Sequence, residues 1–463
     1  MDIPDPSLEK SYKRIILAVT SFATFIIPIL TSAVNVCLPA IGKEFGADAV
    51  KLGWVTSSYI LSSAIFLLPF GKLGDIYGRK KIFSIGIFLL IISIFLIVFS
   101  WNISSLIFFR LLQGFSSAMI YGTSMAIITA AFQPGERGRA IGINVMSTYL
   151  GLSLGPVIGG FLTQYFGWRS VFIFLVPFAI IALVSFKLKI KTEWADAAEE
   201  KFDLKGSLVY GFALLSFMFG FSILPAATGW ICLTAGLVLA ALFVFIEYRV
   251  KNPVLDFKLI FNNRIFAFSS IAAFINYSAT AAIGFFVSLY LQYLKGFDAR
   301  TAGLIMIFQP AAMVLLSPLA GRLSDKINPG IIASIGMGII SSALILLCFL
   351  TAETSIVFLA ALLVLLGIGI GLFSSPNSNA IMSSVEKKYL GVASGAVGTM
   401  RMVGQMLSLG IAMMLLSLYI GREAITPLTY PGLISAIRTG FLIYAILSAL
   451  GVFASLARNK RKR

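Results

Sequence analysis

Apolar runs of about 20 residues recur along the whole chain, and this removes most folds open to a protein of 463 residues. A helix of that length crosses the hydrocarbon core of a bilayer. Fourteen such spans are expected, near residues 15–38, 52–70, 82–100, 104–126, 140–162, 168–186, 207–225, 229–247, 265–291, 301–320, 331–351, 355–375, 391–418 and 434–456. Composition agrees: 59% of residues are hydrophobic and 12% are charged, where a soluble domain carries about 25% charged residues. The first run is too long for the core of a cleaved signal peptide and carries Asn35. The expected class is therefore an all-α polytopic membrane protein.

The net charge of +17 has a topological cause. With the N-terminus placed in the cytoplasm, cytoplasmic segments receive 27 of the 36 Lys and Arg, external segments and outer span ends receive 7, and two lie deep within spans. This positive-inside bias puts both termini in the cytoplasm and the protein in the cell membrane, as a multi-pass chain. The tail RNKRKR (458–463) then reads as a basic patch facing lipid headgroups, with no nucleic-acid partner. Trp54, Trp101, Trp168 and Trp230 fall at external span ends, as an interfacial belt requires. Trp194, in a cytoplasmic linker, is the exception.

Several chemistries lack their residues. Histidine is absent, which removes the commonest proton relay and metal ligand at neutral pH. Cys37, Cys232 and Cys348 lie in apolar runs without a pairing pattern and read as small buried hydrophobes. The sequence carries no metal-ligand cluster, P-loop or serine elbow, so no metal, cofactor or enzymatic role is expected.

Two polar stretches divide the chain. KLKIKTEWADAAEEKFDLKG (187–206) separates spans six and seven. VKNPVLDFKLIFNNR (250–264) separates spans eight and nine, and its Val254, Phe257, Leu259, Ile260 and Phe261 suit an amphipathic helix on the inner membrane surface. The expected organisation is a six-helix bundle (1–186), a cytoplasmic linker (187–206), two extra helices (207–247), an amphipathic linker (248–264) and a second six-helix bundle with a basic tail (265–463). The bundles repeat each other. GKLGDIYGRK (71–80) matches GRLSDKINPG (321–330), and Gly138, Gly142 and Gly151 match Gly391, Gly395 and Gly404 at a constant offset of 253. Parallel six-helix repeats place a substrate cavity between the halves, near the midplane.

GKLGDIYGRKK (71–81) concentrates five charges in eleven residues on the cytoplasmic side. Gly71, Gly74 and Gly78 permit a tight loop and close helix approach. Asp75 suits the positive end of a neighbouring helix, while Arg79 and Lys80 can reach carbonyls or carboxylates. With Gly321 and Asp325 in the second half, the cluster reads as a gate that holds the halves together on the inside in one state. The alternative is a solvated positive-inside loop.

Arg110, Gln113 and Gly114 share one helix face, with the arginine inside the membrane, where it is costly and usually faces a polar interior. Snorkelling to the external interface is the alternative. Gly151, Gly155 and Gly159 line a stripe of the fifth span, beside Gly160, and Pro156 interrupts its hydrogen-bond ladder. Arg401 is the second intramembrane arginine, and Gln405 lies one turn on. Asn35, Asn276, Tyr277 and Gln309 are further cavity candidates, against ordinary interhelical hydrogen bonding.

These stretches resemble the major facilitator superfamily in order along nearly the whole chain. GKLGDIYGRKK resembles its signature loop, FFRLLQGFSSA (108–118) its fourth-span motif and GLSLGPVIGG (151–160) its antiporter motif. NPVLDFKLIFNNRIF (252–266), SSPNSNAIMSSV (374–385) and GVASGAVGTMRMVGQ (391–405) resemble the fourteen-span drug:proton antiporter branch, which exports multiple drugs and quaternary ammonium compounds. The resemblance implies two six-helix bundles plus two extra helices, rocking about a central cavity. It further implies proton handling by Arg110 with Gln113, and a leak-blocking hinge at Gly151, Gly155, Pro156, Gly159 and Gly160. The expected partners are a hydrophobic or amphipathic small molecule, the proton as coupling ion, and the bilayer.

One departure matters. The branch usually carries an aspartate in its first span, and the matching residue in ILTSAVNVCLP (29–39) is Leu30. None of the 19 acidic residues falls near a membrane midplane. Protons then travel on an edge carboxylate, Asp75 first, or coupling is weak or uses another ion. With Arg110 and Arg401 as the cavity's formal charges, neutral or anionic amphiphiles are favoured over cations. Export of one endogenous metabolite, or a transport-fold sensor without turnover, are the alternative functions.

Overall fold

In the computed structural model all fourteen expected spans are helical, and no strand occurs among the described residues. These are residues 6–132, 134–195, 197–250, 253–255, 263–324, 327–385, 390–421 and 423–457. The spans are Ser11–Phe45, Ala49–Tyr77, Arg79–Val98, Ile103–Ala131, Gly142–Phe166, Arg169–Lys189, Leu204–Ile223, Ala227–Arg249, Arg264–Leu294, Ala299–Gly321, Pro329–Leu347, Ile356–Ser383, Ala396–Tyr419 and Pro427–Leu456. Connections are short, so most consecutive spans run antiparallel.

Polar residues start the helices where the apolar runs begin. The Asp48 carboxylate accepts the Lys51 amide at 2.7 Å. Asn102 and Ser105 cap each other reciprocally at the fourth span. Asn263, Asp298 and Asn328 do the same work in the second half. The helices outrun the apolar core: the second continues to Tyr77 and therefore takes in Gly71, Gly74 and Asp75. Only Gly78, with φ +109°, forms the expected loop, because no other residue adopts that backbone without strain.

Two spans of the second half are interrupted. The ninth stops at Thr280 and resumes at Ile283, and the freed Ala282 amide donates to Ser408 Oγ at 3.0 Å. The tenth breaks at Ile307, three residues before Pro310, whose ring denies a ladder bond to the preceding turn.

The sequence repeat is also a packing repeat. A Cβ on Gly151 would stand 2.6 Å from the Phe25 carbonyl of the first span, and one on Gly404 would stand 2.6 Å from the Phe274 carbonyl of the ninth. Gly114 abuts the Tyr59 carbonyl of the second span, as Gly367 abuts the Gln309 carbonyl of the tenth. Close backbone approach at small residues drives helix association where apolar burial does not. The seventh and eighth spans form a hairpin outside both sets. Its seventh span touches the first half through Tyr210, whose hydroxyl donates to the Ala64 carbonyl at 3.0 Å. It touches the second half through Phe221 under Gly410 and through Leu224, whose carbonyl accepts Ser417 Oγ at 3.0 Å.

Candidate functional site

The halves meet tightly at the ends assigned to the outside. Gly160 and Pro156 of the fifth span face Ala299 and Gly303 of the tenth, and a Cβ on Gly303 would lie 2.9 Å from the Pro156 carbonyl carbon. Arg300 Nη1 donates to the Tyr165 hydroxyl at 3.0 Å. Gln292 Nε2 donates to the Val36 carbonyl at 3.0 Å, and Ser288 donates to the Asn35 carbonyl. On the other side of the seam Ser57 Oγ lies 3.3 Å from Met413 Sδ, and the Ala49 amide donates to the Glu423 carbonyl at 3.2 Å. Toward the cytoplasm the contact loosens. A Cβ on Gly398 would meet Leu67 at an ordinary 3.4 Å, and one on Gly142 would meet nothing within 4 Å. The seam is closed outside and looser inside.

The glycine motif of the fifth span therefore has two faces. Gly151, Gly155 and Gly159 pack on Phe25, Ile29, Ser32 and Ala33 of the first span, inside one half. Pro156 and Gly160 face the other half. Helical periodicity keeps the three-glycine stripe on one face and turns Pro156 and Gly160 to the other.

At mid-depth the seam is polar and aromatic. Arg401 is half-buried, its guanidinium carbon 5.7 Å from the centroid of Tyr121 across the seam, and its Nε has no partner among the described residues. Tyr59 and Tyr149 lie within its electrostatic reach, and Tyr149 faces Tyr277 and Ser374 of the second half. Gln405 and Gln309 are half-buried on the same half. Asn35 sits toward the outer seal, where its Oδ1 accepts Thr56 Oγ1 at 3.4 Å. Asn276 departs from the cavity expectation: it is 0% exposed, and neither side-chain polar atom has a partner among the described residues. Tyr59, Tyr121 and Tyr149 escaped sequence reasoning, because tyrosines in a chain this aromatic carry no positional signal of their own.

Arg110 does not snorkel. It is 0% exposed, its Nε donates to the Val55 carbonyl at 3.0 Å, Nη1 donates to Gln113 Oε1, and its guanidinium carbon stands 4.7 Å from the Tyr59 ring centroid. Arg110 Nη2 and Gln113 Nε2 have no partner among the described residues. Leu30, where the resemblance calls for an acid, is 1% exposed. No carboxylate among the described residues pairs with Arg110 or Arg401.

The cytoplasmic cluster engages the first linker. Asp75 accepts Arg79 Nε at 2.7 Å, and Arg79 is the first residue of the third span, so the carboxylate meets the start of the neighbouring helix through that side chain. Lys80 offers its backbone amide, not its ammonium, to Glu193 Oε1 at 2.8 Å, and the Glu193 carboxylate lies over Gly78. The Arg79 amide donates to the Trp194 carbonyl at 2.9 Å, and the Ala197 amide donates to the Asp75 carbonyl at 3.0 Å. Trp194 thus packs where the linker docks, which explains its place outside the tryptophan belt. Gly321 is helical, and a Cβ on it would stand 2.9 Å from Ser375 Oγ. Asp325 lies outside the described residues, as do most of the amphipathic linker and the side chains of Gly138, Gly391 and Gly395.

One external expectation changes. Trp168 is 2% exposed rather than part of a belt: Nε1 donates to Glu44 Oε2 at 2.7 Å and Arg169 lies over its ring at 4.3 Å. At the cytoplasmic edge, Glu247 is 2% exposed against Asp203.

Known proteins resemble this chain along most of its length. The family model for the Major Facilitator Superfamily matches residues 20–409 and 269–463. The riboflavin transporter RibZ of Clostridioides difficile is 30% identical over 84% of this chain and 85% of its own. The multidrug resistance protein Stp of Mycobacterium tuberculosis is 29% identical over 85% and 74%. The tetracenomycin C resistance and export protein of Streptomyces glaucescens is 27% identical over 84% and 73%. Among solved structures, a bacterial homologue of the human lysosomal transporter Spinster, inward-facing and unoccupied, superposes with a TM-score of 0.68 at 16% identity, over 98% of this chain and 99% of that one.

Proposed function

Because this chain belongs to the major facilitator superfamily of membrane transporters, we propose that it exports hydrophobic or amphipathic small molecules by alternating access, driven by the proton gradient. The observation that carries this reading is the seam: closed at the outer end by Gly160, Pro156, Ala299 and Gly303, and lined at mid-depth by Arg401 and tyrosines. A site loaded from the cytoplasm and sealed from the outside suits the loading step of an exporter. Relatives named for multidrug resistance and for tetracenomycin C export support the direction.

In this reading residues 1–186 and 265–463 rock against each other, with 187–206 and 248–264 as tethers and 207–247 as an accessory hairpin. Gly71, Gly74, Asp75, Gly78, Arg79, Lys80, Gly321 and Asp325 belong to the inner gate. Asp75 is the first proton carrier, and Arg110 with Gln113 assists. The substrate cavity is built around Arg401, Gln405, Tyr277 and Gln309.

A guanidinium among aromatic rings, with no carboxylate partner among the described residues, favours neutral or anionic planar amphiphiles and repels cations. The relative named for riboflavin, a neutral fused-ring molecule, supports the second reading of a single aromatic metabolite as substrate.

The test uses purified protein in liposomes under an imposed proton gradient, with cationic, neutral and anionic dyes of matched size. Flux that dies with nigericin supports proton-driven export. Flux that ignores nigericin rejects the coupling, absence of flux rejects transport of this class, and preference for the cation rejects the charge assignment.

A further inference from the structure

At the cytoplasmic base of the extra hairpin two carboxylates face each other. Asp203 begins the seventh span, and its Oδ1 accepts the Gly206 amide at 2.9 Å. Glu247 ends the eighth span, and its Oε2 accepts the Leu255 amide at 2.9 Å, holding the start of the tether to the second half. Each carboxylate therefore has one oxygen on a backbone donor. The other two, Asp203 Oδ2 and Glu247 Oε1, are buried, have no donor among the described residues, and lie within hydrogen-bonding reach of each other. A Cβ on Gly206 would run into both, so the pair is roofed by a residue that must be glycine. Glu247 itself is 2% exposed, and the Leu255 side chain 3%.

Two acceptors in contact repel unless a hydrogen lies between them, and a buried oxygen without a donor is costly. Among the described residues no neighbouring cation removes the conflict. On the seventh span and ahead of it, Lys205 and Lys201 are exposed. On the eighth, Arg249 lies over the Phe245 ring at 4.1 Å. The second span, packed against the seventh, presents Lys72, which is taken by Glu200, and Asp75, which is taken by Arg79. The thirteenth presents Arg401, which is turned to Tyr121 at the seam.

We propose that Asp203 and Glu247 bind one shared proton, and that this proton clasps the second tether, through Leu255, to the base of the hairpin. Loss of the proton leaves two anions face to face and releases Leu255. The site is separate from the Arg401 seam and stands whether or not export is proton-driven.

The test reads the full-length protein in lipid nanodiscs in two ways. Infrared spectra should contain a protonated-carboxyl band that both Glu247→Gln and Asp203→Asn remove. Either amide can replace the proton with an N–H donor, so both variants should fold. Amide exchange at Leu255, corrected for its intrinsic pH dependence, should accelerate about tenfold or more at alkaline pH in the wild type. In Glu247→Gln it should stay slow at every pH. A wild-type spectrum without a band that both substitutions remove overturns the proposal, as does identical Leu255 protection in wild type and Glu247→Gln across the pH range.

Discussion

Replacing Gly303 with alanine should bias the transporter toward its outward-open state. The added methyl would stand 2.9 Å from the Pro156 carbonyl carbon, closer still to its oxygen, and 3.4 Å from the Gly160 Cα. All three are backbone atoms, so they cannot swing aside as a flexible side chain would. Overpacking of this kind costs about 1–3 kcal/mol. The contact joins the fifth span to the tenth, across the outer seam, so the cost falls on the outwardly closed state alone. The ratio of outward-open to outward-closed molecules should then rise by about 5- to 150-fold. Gly367→Ala is the control: its methyl would meet Ala312 Cβ at 2.7 Å, within one half, and should lower stability in both states without moving their ratio. Spin labels at Lys51 and Glu423 span the outer mouth, and labels at Tyr77 and Ile327 span the inner one. Double electron–electron resonance should show the outer pair lengthening in Gly303→Ala and in Gly160→Ala, but not in Gly367→Ala. If Gly303→Ala lowers the melting temperature as Gly367→Ala does and leaves the outer distance unchanged, the seam is not state-specific and the reasoning fails.

Arg110→Lys cannot serve both the Val55 carbonyl and Gln113, so losing one charged hydrogen bond should cost about 1.5–3 kcal/mol in thermal melts and cut flux at least tenfold; an unchanged melt contradicts the buried geometry. Gly78→Ala, at φ +109° and under the Glu193 carboxylate, should cost about 1–3 kcal/mol and speed amide exchange at Ala197, whose amide bonds the Asp75 carbonyl. Arg401→Gln should reduce flux of an anionic dye about tenfold relative to a neutral one, and an equal loss for both would remove the charge assignment. The Thr301 hydroxyl and amide hold the Asp298 carboxyl below the ordinary carboxylate range. Its charged-cap contribution is therefore present above the unfolded value and is lost as pH falls through the depressed one; Asp298→Ala should cost about 1 kcal/mol at neutral pH, with the gap to wild type narrowing in acid melts.

The fold was legible because a membrane imposes length and apolarity on every span, and both are visible in one dimension. The repeat was legible for a similar reason: Gly151 and Gly404 need the same absence of a side chain against the same carbonyl. Helix ends were less so, since Gly71 to Tyr77 are polar enough to resemble a loop yet continue the second span. The site was legible where chemistry is rare. A lone intramembrane arginine such as Arg110 or Arg401 announces itself against an apolar background, whereas Tyr121 and Tyr149 do not. The Asp203–Glu247 pair was invisible because its members are far apart in sequence and each reads as an ordinary edge carboxylate until the hairpin closes. Glu193 and Trp194 were hidden in the same way, inside a linker whose composition suggests solvent.

The hairpin of spans seven and eight has a consequence for traffic in the plane of the bilayer. A two-bundle molecule has two flanks along its seam, one between spans five and ten, the other between spans two and thirteen. The hairpin leans across the second flank, gripping span two at Ala64 and span thirteen at Gly410 and Ser417. Lipid-dissolved molecules drifting sideways toward the seam thus find the second doorway shuttered. In the proposed rocking cycle a shutter fastened to both jambs must also slip at one of them whenever the halves swing, so the hairpin would add drag as well as cover.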